Sequence, residues 1–544
     1  MSEYLPFVNS TKQKITVILV LLSIAAAIAL SGNVKLPLDA HETFVVQTTQ
    51  EMHDRHDWIV PYFNKQPRLN KPPINYWLTG TIAWISGDLD HVKPWHGRFV
   101  SAIAGLFLVI FTILVCTKLY DQQTAYIAAV MLVTSMGFFD YSHDARPDML
   151  YSMFCTAGLT AFVFAWKSTN SSRQGLYTYL MWIAYALATL TKGPQIPAMF
   201  IISSLVFCYF IKQPLKQTLK LHRFLTGIIL FIIIAAPWWI VVNSKLGGSG
   251  LEGTQLAGSL LTINYGNVLE LYYFYRPLIL LVPWVIFIPY AFLNYRKNTE
   301  HRPANILMLL LIVIPGIILS FGSQERWFYM LPSIVPMIIL LAGGASFFAN
   351  RIIQGSGQKW FKLIFLLLLI LPVCSLVAIF YSGNVSGKLN LIIFSVLLVI
   401  LSAILIYIYK YRGKSFIQQF TITGIAYVIF IIVLGITNTG WSKDRFENHK
   451  LALYAHKVVA DQLIYAVRLN PDIYVYYTRE DIKETNNVKK AIKVFDNSSY
   501  KNLFIIIPER YLHRIPGHIN HKIIYKTDAE KNKSIYLVKF EKTA

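Results

Sequence analysis

The chain has 544 residues, of which 55% are hydrophobic and only 14% are charged. Soluble domains usually carry about 25% charged residues, so this composition excludes an ordinary water-soluble protein. The formal net charge is +22 at pH 7, but no basic stripe interleaved with aromatic residues occurs on a polar stretch, so nucleic-acid binding is not indicated. Membrane topology and anionic lipid explain such an excess of Lys and Arg.

The N-terminal apolar run is the first predicted span. It follows Lys12 and Lys14, and no convincing small-residue cleavage site comes after it. We therefore expect a retained span rather than a removed signal peptide. Further along, four cysteines fall inside or at the ends of apolar runs: Cys116, Cys155, Cys208 and Cys374. Their spacing predicts neither a disulfide framework nor a zinc site.

Long apolar runs recur along most of the chain. A span needs roughly 20 mostly apolar residues, and hydropathy predicts about thirteen such helices. They cover residues 15–31, 98–117, 124–138, 149–166, 177–191, 195–211, 224–243, 277–294, 303–321, 328–349, 361–381, 389–409 and 418–438. The predicted fold class is a polytopic α-helical membrane protein.

The short loops between these spans predict the orientation. With a cytoplasmic N-terminus, the short cytoplasmic loops hold sixteen Lys and Arg residues, and the outer loops after residue 97 hold six. Cytoplasmic loops are normally the positive ones, so this orientation is favoured. An odd number of spans then places the C-terminal tail outside.

Two predicted outer loops are long. Residues 32–97 contain amphipathic stretches and several prolines, which favour helices lying along the membrane surface. Residues 244–276 begin with Gly247-Gly248-Ser249-Gly250 and end in the aromatic run Tyr272-Tyr273-Phe274-Tyr275-Arg276.

The tail becomes charged from about Ser442. A helical pattern near His449–Arg468 precedes strand-like runs at Ile473–Tyr477, Leu503–Ile507 and Ser534–Phe540. We therefore predict a membrane domain over residues 1–441 and a small soluble α/β domain over residues 442–544.

Acidic residues in the outer loops are the first functional candidates, because burying an ionisable group at a membrane costs free energy. Asp39, His41 and Glu42 lie just past the first span, where an acid could act as a general base on an acceptor. Asp148 opens the helix predicted at 149–166. A helix cap or a partner for the helix dipole explains these residues without any catalytic role.

Cations are the second kind of candidate. Lys71 lies in Asn70-Lys71-Pro72-Pro73, ahead of an aromatic-rich helix, where an ammonium group suits a phosphate. A lysine beside lipid headgroups is the simpler explanation. Three more cations fall in predicted outer loops, and together they suit an anionic lipid phosphate: Lys192, Arg276 and Arg326.

Several of these motifs occur together as in one known family. His41-Glu42-Thr43, Asp57-Trp58-Ile59-Val60-Pro61 and Asn70-Lys71-Pro72-Pro73-Ile74-Asn75-Tyr76-Trp77-Leu78 resemble the first outer loop of the ArnT-like aminoarabinose transferases. That family is part of the protein mannosyltransferase superfamily of GT-C glycosyltransferases. Further landmarks extend the resemblance in order: Leu190-Thr191-Lys192-Gly193-Pro194, Pro237-Trp238-Trp239 and Tyr329-Met330-Leu331-Pro332.

The resemblance implies a GT-C fold and an enzyme of a bacterial inner membrane, with its C-terminus in the periplasm. Such enzymes move a sugar from undecaprenyl or another polyprenyl phosphate to lipid A or another envelope acceptor at the periplasmic face. The expected sugar is 4-amino-4-deoxy-L-arabinose or a related one, and no nucleic acid is involved.

Family roles map onto individual positions. Lys71 matches the lysine that contacts the donor phosphate, and Tyr329 matches a tyrosine that lines the donor site. Asp148 matches the aspartate that opens the fourth span. We also assign the loop cations to the donor phosphate: Lys192, Arg276 and Arg326.

Two departures bear on the catalytic set. The family usually carries Asp-Glu where this chain has His41-Glu42, and Glu where this chain has Asn70. Glu42, Asp39 and His41 therefore remain alternatives for the principal acidic residue. Because the missing glutamate is a proposed metal contact, a divalent metal cofactor stays open and no metal ligand is assigned.

A transporter or flippase of lipid-linked sugars is the alternative from another class. Transporters place broken helices and polar residues near the bilayer midplane, whereas most charged candidates here lie in outer loops. An O-antigen polymerase or ligase is disfavoured, because its large outer loop is expected late in the chain. The sequence favours sugar transfer and leaves the sugar and the acceptor open.

Overall fold

The computed structural model describes residues 11–31, 36–248, 271–322, 325–353, 416–437, 443–460, 462–516, 519–528 and 534–542, with separate positions between 364 and 404. Within these residues the chain is mostly helical. The α-helices before the tail are Thr11–Leu30, Ala40–Asp54, Ile74–Ile85, Pro94–Leu119, Gln122–Val133, Met136–Ser142, Asp148–Trp166, Ser171–Lys192, Gln195–Phe210, Leu215–His222, Phe224–Lys245, Tyr272–Tyr275, Ile288–Lys297, Arg302–Ser320, Ile334–Ile353 and Phe416–Thr437. Short 3₁₀ helices cover Leu89–His91, Arg276–Leu281, Trp284–Phe287 and Trp327–Ser333.

Among the described residues, seven helices are long and apolar enough to cross a membrane, and two bent pairs bring the number to nine. The described part of the chain therefore confirms a polytopic helical membrane protein. Fewer than half of the residues in the predicted spans at 361–381 and 389–409 are described, and these residues are helical. Most of the predicted loop 244–276 lies outside the described residues.

The span predicted at 124–138 is broken. Gln122–Val133 and Met136–Ser142 meet at an angle of 56°. The break follows from Ser135, whose hydroxyl accepts a hydrogen bond from the Phe138 backbone N–H and so begins a new helix. The region predicted as one span at 277–294 is likewise bent by 114°, between Tyr272–Leu281 and Trp284–Lys297.

Helices Asp148–Trp166 and Ser171–Lys192 form a closely packed pair. A Cβ built on Gly158 would lie only 2.3 Å from the Tyr185 ring, so a glycine is needed where the two helices approach. The short turn between them makes the pair antiparallel. Asp148, at the start of one helix, consequently lies beside Lys192, at the end of the other.

The chain divides into two compact units. The first contains residues 1–33, 69–75 and 98–437, and the second contains residues 34–68, 76–97 and 438–544. The second unit therefore combines most of the first long loop with the C-terminal tail. The division of the chain into a membrane domain over residues 1–441 and a soluble domain over residues 442–544 stays a prediction.

The tail contains a five-stranded sheet. Its strands are β3 (Leu463–Val467), β4 (Ile482–Thr485), β5 (Asn502–Pro508), β6 (His521–Lys526) and β7 (Ile535–Glu541), and its order is β4-β3-β5-β7-β6. β3 is parallel to both β4 and β5, while β7 is antiparallel to β5 and β6. The tail helices are Lys443–Val459, Asp472–Thr478 and Val488–Asp496, with a 3₁₀ helix at Glu509–Arg514. A small α/β domain is thus confirmed.

Two details of the predicted tail are wrong. Ile473–Tyr477 lies in a helix rather than a strand, because a parallel β3–β4 pair needs a crossover between its strands. Leu463–Val467, at the end of the predicted helical pattern, is the buried strand β3. The strands predicted at Leu503–Ile507 and Ser534–Phe540 are confirmed.

The first long loop and the tail share one core within the second unit. A short hairpin of β1 (Tyr62–Phe63) and β2 (Gln66–Pro67) places Phe63 in the buried cluster that contains Leu451 and Phe504. Beside it, the Asn64 side-chain amide donates a hydrogen bond of 2.8 Å to the Ile482 carbonyl oxygen. The hairpin is therefore part of the core of the tail domain.

Replacing Phe63 with Ala should destabilise the second unit by about 3 kcal/mol, because it leaves a cavity in this shared core. The urea concentration at which trypsin cleaves the tail of the detergent-solubilised protein measures the effect. Tyr500→Ala serves as the control, since Tyr500 is an exposed aromatic of the same domain. Equal urea midpoints for the two variants would contradict the shared core.

Asp472 is a buried carboxyl group in the second unit. Burial raises its pKa to about 7, although the positive charge of Arg68 opposes the increase. The negative charges of Glu484 and Asp39 act in the same direction as burial. The folded protein therefore holds this proton more tightly than the unfolded chain does.

The contribution of Asp472 to stability should be complete below about pH 4 and lost as the pH rises through about 7. Between these limits we expect a decrease of a few kcal/mol in the free energy of unfolding of the second unit. Asp472→Asn should remove this dependence and be the more stable protein at pH 8. Thermal unfolding followed by circular dichroism in detergent tests this, and parallel pH profiles for both proteins would refute it.

Candidate active site

Asp148 is the centre of a cluster of charged side chains in the first unit. It is 3% exposed, and its Oδ1 lies 2.5 Å from the Lys192 Nζ. Its Oδ2 lies 3.2 Å from the Arg146 Nε. Both carboxylate oxygens are thus engaged by cations, which supplies the pairing that a buried charge requires. Arg146 also lies 3.6 Å from a carboxylate oxygen of Asp144.

Two more cations act on this cluster. The positive charge of Lys71 attracts Asp148, and that of Arg326 repels Lys192. The structure therefore brings together Lys71, Lys192, Arg326 and Asp148, which lie far apart in the sequence.

Aromatic rings pack against the same cations. The Lys192 Nζ lies 4.9 Å from the centre of the Tyr329 ring and 5.4 Å from that of Phe328. The Arg146 guanidinium lies 4.4 Å from the Phe328 ring. These contacts hold the cations over ring faces, where cation–π attraction favours them.

Hydrogen bonds between side chains and backbone groups hold the segments that carry the cluster. The Asn75 side-chain amide donates to the Ala145 carbonyl oxygen at 3.2 Å, which ties the Lys71 segment to the loop before Asp148. The Arg326 backbone N–H donates to the Tyr273 hydroxyl at 3.2 Å. Tyr151 donates to the Gly193 carbonyl oxygen at 3.0 Å and so holds the end of the helix that carries Lys192.

The cluster suits an anion. Four cations, Lys71, Arg146, Lys192 and Arg326, are gathered about Asp148, and Asp144 is the second carboxylate paired with Arg146. Charge-assisted hydrogen bonds from Lys and Arg are the strong contacts by which proteins hold phosphate. The remaining positive charge can therefore balance a phosphate group.

Sequence reasoning missed Arg146 as a member of this cluster and did not identify Phe328. The available signal for Arg146 was its position two residues before Asp148. Arg276, which was assigned to the phosphate, is exposed, and its guanidinium lies 5.9 Å from the Tyr275 ring. Arg276 takes part in none of the contacts described above around Asp148, and its phosphate role stays a prediction.

The candidate residues after the first span lie at the start of a helix in the second unit, and two of them cap it. Asp39 is the N-cap of Ala40–Asp54, and its side chain accepts from the His41 backbone N–H at 2.9 Å. Glu42 completes the capping box by accepting from the Asp39 backbone N–H at 2.9 Å. His41 is exposed.

Glu42 also forms a buried ion pair with Arg445 of the tail. Arg445 donates a second hydrogen bond, of 2.7 Å, to the Pro37 carbonyl oxygen. Glu42 is 1% exposed, so its carboxylate joins the helix start to the tail domain. Sequence reasoning missed Arg445 because it lies 403 positions away in the chain.

The residues do not fit a divalent metal ion. Within the described chain, no three His, Cys, Asp or Glu side chains are grouped as a metal site requires. Asn70 has a neutral amide at the position where the resemblance implies a glutamate, and the carboxylate of Glu42 is held by a guanidinium.

Comparison with known proteins identifies relatives. The profile of the dolichyl-phosphate-mannose-protein mannosyltransferase family matches residues 70–241. The undecaprenyl phosphate-alpha-4-amino-4-deoxy-L-arabinose arabinosyl transferase of Pectobacterium carotovorum subsp. carotovorum (strain PC1) is 25% identical over 376 residues, covering 67% of this chain and 65% of that protein. The protein of the same name from Pectobacterium atrosepticum is 24% identical and covers 62% and 59%. The match thus spans less than two thirds of these relatives.

The fold is similar to crystal structures of ArnT from Cupriavidus metallidurans. The form bound to undecaprenyl phosphate gives a TM-score of 0.74 at 14% identity, covering 97% of this chain and 98% of that one. The apo form gives a TM-score of 0.72 at 14% identity, covering 96% and 97%. At this identity the likeness establishes the fold.

Replacing Arg445 with Ala should destabilise the second unit by about 3 kcal/mol, because it removes a guanidinium from a buried carboxylate. Adding Glu42→Gln to that variant should restore part of the loss, since the buried charge is then gone. The urea midpoint for tryptic cleavage of the tail measures both effects. If the double variant lost as much stability as the Arg445→Ala and Glu42→Gln single variants lose together, the two residues would not be coupled.

Proposed function

We propose that this chain, which is ArnT-like in sequence and has the GT-C fold, transfers a sugar from a polyprenyl phosphate to an acceptor in the bacterial envelope. The observation that carries the proposal is the cluster of four cations about Asp148 at the ends of apolar helices. A lipid phosphate is the anion that such a position in a membrane protein suits.

The reaction breaks the bond between the anomeric carbon of the sugar and the phosphate oxygen. An acceptor oxygen forms the new bond to that carbon and loses its proton, and the polyprenyl phosphate leaves with an added negative charge. Cations held in place before the reaction stabilise this charge without reorganising. We assign this role to Lys71, Lys192 and Arg326, with Arg146 as a further member.

The roles of the acids follow from their contacts. Both oxygens of Asp148 are occupied by Lys192 and Arg146, which favours a positioning role in which Asp148 holds the cations. The assignment of Glu42, Asp39 or His41 as the group that receives the acceptor proton rests on the resemblance. Capping and the Arg445 pair supply an independent, structural reason for Glu42.

The proposed donor is undecaprenyl phosphate carrying 4-amino-4-deoxy-L-arabinose or a related sugar, and the proposed acceptor is lipid A or another envelope glycolipid. The names of the relatives support the donor. We propose an inner-membrane location with a cytoplasmic N-terminus and a periplasmic C-terminus, because Lys and Arg are unevenly distributed over the short loops.

Lys71→Ala should lower the rate of transfer by at least roughly 100-fold, since one preorganised charge in such a site is worth about 3 kcal/mol. The measurement follows radiolabelled sugar from a polyprenyl phosphate donor into extracted envelope glycolipid, with protein purified in detergent. Lys65→Ala is the matched control, because Lys65 is an exposed lysine six residues away. Full activity of the Lys71→Ala protein would disprove the phosphate assignment.

The same preparation separates transfer from transport. In proteoliposomes, a flippase moves the labelled donor between leaflets without any acceptor, whereas a transferase yields labelled glycolipid only when acceptor is present. Donor movement with no labelled product would favour the transporter.

A further inference from the structure

Three arginines of the tail surround one aromatic ring. The guanidinium carbons of Arg510, Arg514 and Arg468 lie 4.9, 5.0 and 5.3 Å from the centre of the Tyr511 ring. No two of these carbons can be farther apart than the sum of two ring distances, about 10 Å. The three positive charges therefore share one small region.

The cluster lies at a particular edge of the sheet. Arg468 follows β3 directly, while Arg510 and Arg514 belong to the 3₁₀ helix that follows β5. β3 and β5 are parallel neighbours, so their carboxyl ends are at the same edge. From β3 the chain crosses to β4 on one side and then to β5 on the other. In open α/β sheets, ligands bind in the crevice at this switch point.

The arginines are held in place without being neutralised. Tyr511 packs against the buried cluster that contains Ile505 and Val538, which anchors the ring. The Arg468 Nε donates to the Asn486 carbonyl oxygen at 3.1 Å, so this guanidinium is oriented by a neutral group.

The nearest carboxylate along the chain is engaged elsewhere. Glu509 accepts a hydrogen bond from the Tyr536 hydroxyl at 3.2 Å and lies 3.9 Å from the Lys526 ammonium. Within the described part of the tail, no carboxylate pairs with any of the three arginines. Since like charges repel, three guanidiniums around one ring favour an anionic ligand over a merely solvated surface.

We propose that Arg468, Arg510 and Arg514 form a second anion site, which binds the phosphate of a phosphorylated headgroup at the carboxyl edge of the tail sheet. Guanidinium forks match the geometry of phosphate oxygens and donate charge-assisted hydrogen bonds to them. This site is separate from the Asp148 cluster in its residues and does not depend on the transfer reaction.

Chemical protection of individual arginines tests the site. The full chain, purified in a neutral detergent, is treated with phenylglyoxal, and modification of each arginine is followed by peptide mass spectrometry. Inorganic pyrophosphate and a short-chain phosphatidylglycerol are the two probes, and sodium chloride of equal ionic strength controls for screening. Exposed Arg173, in the first unit, is the internal reference.

Binding should slow modification of the three arginines by roughly tenfold, the effect of one charge-assisted contact, and leave Arg173 unchanged. Protection by both probes means that phosphate alone is sufficient, and protection by the lipid alone identifies a membrane headgroup as the source. Arg510→Gln with Arg514→Gln should abolish protection of Arg468. Lys501→Gln, at the opposite end of β5, should preserve it. Protection no greater than that of sodium chloride, or unchanged in the double variant, would overturn the site.

Discussion

The candidate site depends on the burial of one carboxylate, that of Asp148. Removing an ionised carboxyl group from water costs free energy, and the cost is offset only while cations pair with the carboxylate. Lys192 and Arg146 do so from two different segments, and Lys71 acts on it from a third. These segments cannot separate without leaving a buried charge poorly compensated. The same carboxylate therefore sets the spacing of the cations that face a ligand.

The two clusters of cationic side chains, one around Asp148 and one around Tyr511, differ in their surroundings. The Asp148 cluster is largely buried and contains its own counter-charge, so its contacts are little screened by salt. The arginines around Tyr511 are exposed and are screened more strongly. A ligand held by the first cluster is therefore bound in a fixed geometry, whereas the second is suited to weaker and more readily reversible contact.

Much of the fold was predictable because the length of an apolar run is a local signal. Lys71, Asp148 and Lys192 were identifiable as candidates because they lie in motifs with short, recognisable spacing, and their roles stay predictions. The bend at Ser135 and the pairing of Glu42 with Arg445 were not predictable, since each depends on partners remote in the sequence. Ile473–Tyr477 has the β-branched and aromatic residues of a strand, but packing of a crossover helix outweighs that preference.

The shared core of the second unit has a consequence for how the protein is made. Asn64 and its partner Ile482 are 418 positions apart, so the hairpin is synthesised long before the residues that cover it. At about 5–20 residues per second, this interval is roughly 20 to 80 seconds. During that time Phe63 has no native partner from the tail, and a ribosome that stops early releases a chain with this apolar surface uncovered. Quality control by proteases would then act on the incomplete hairpin.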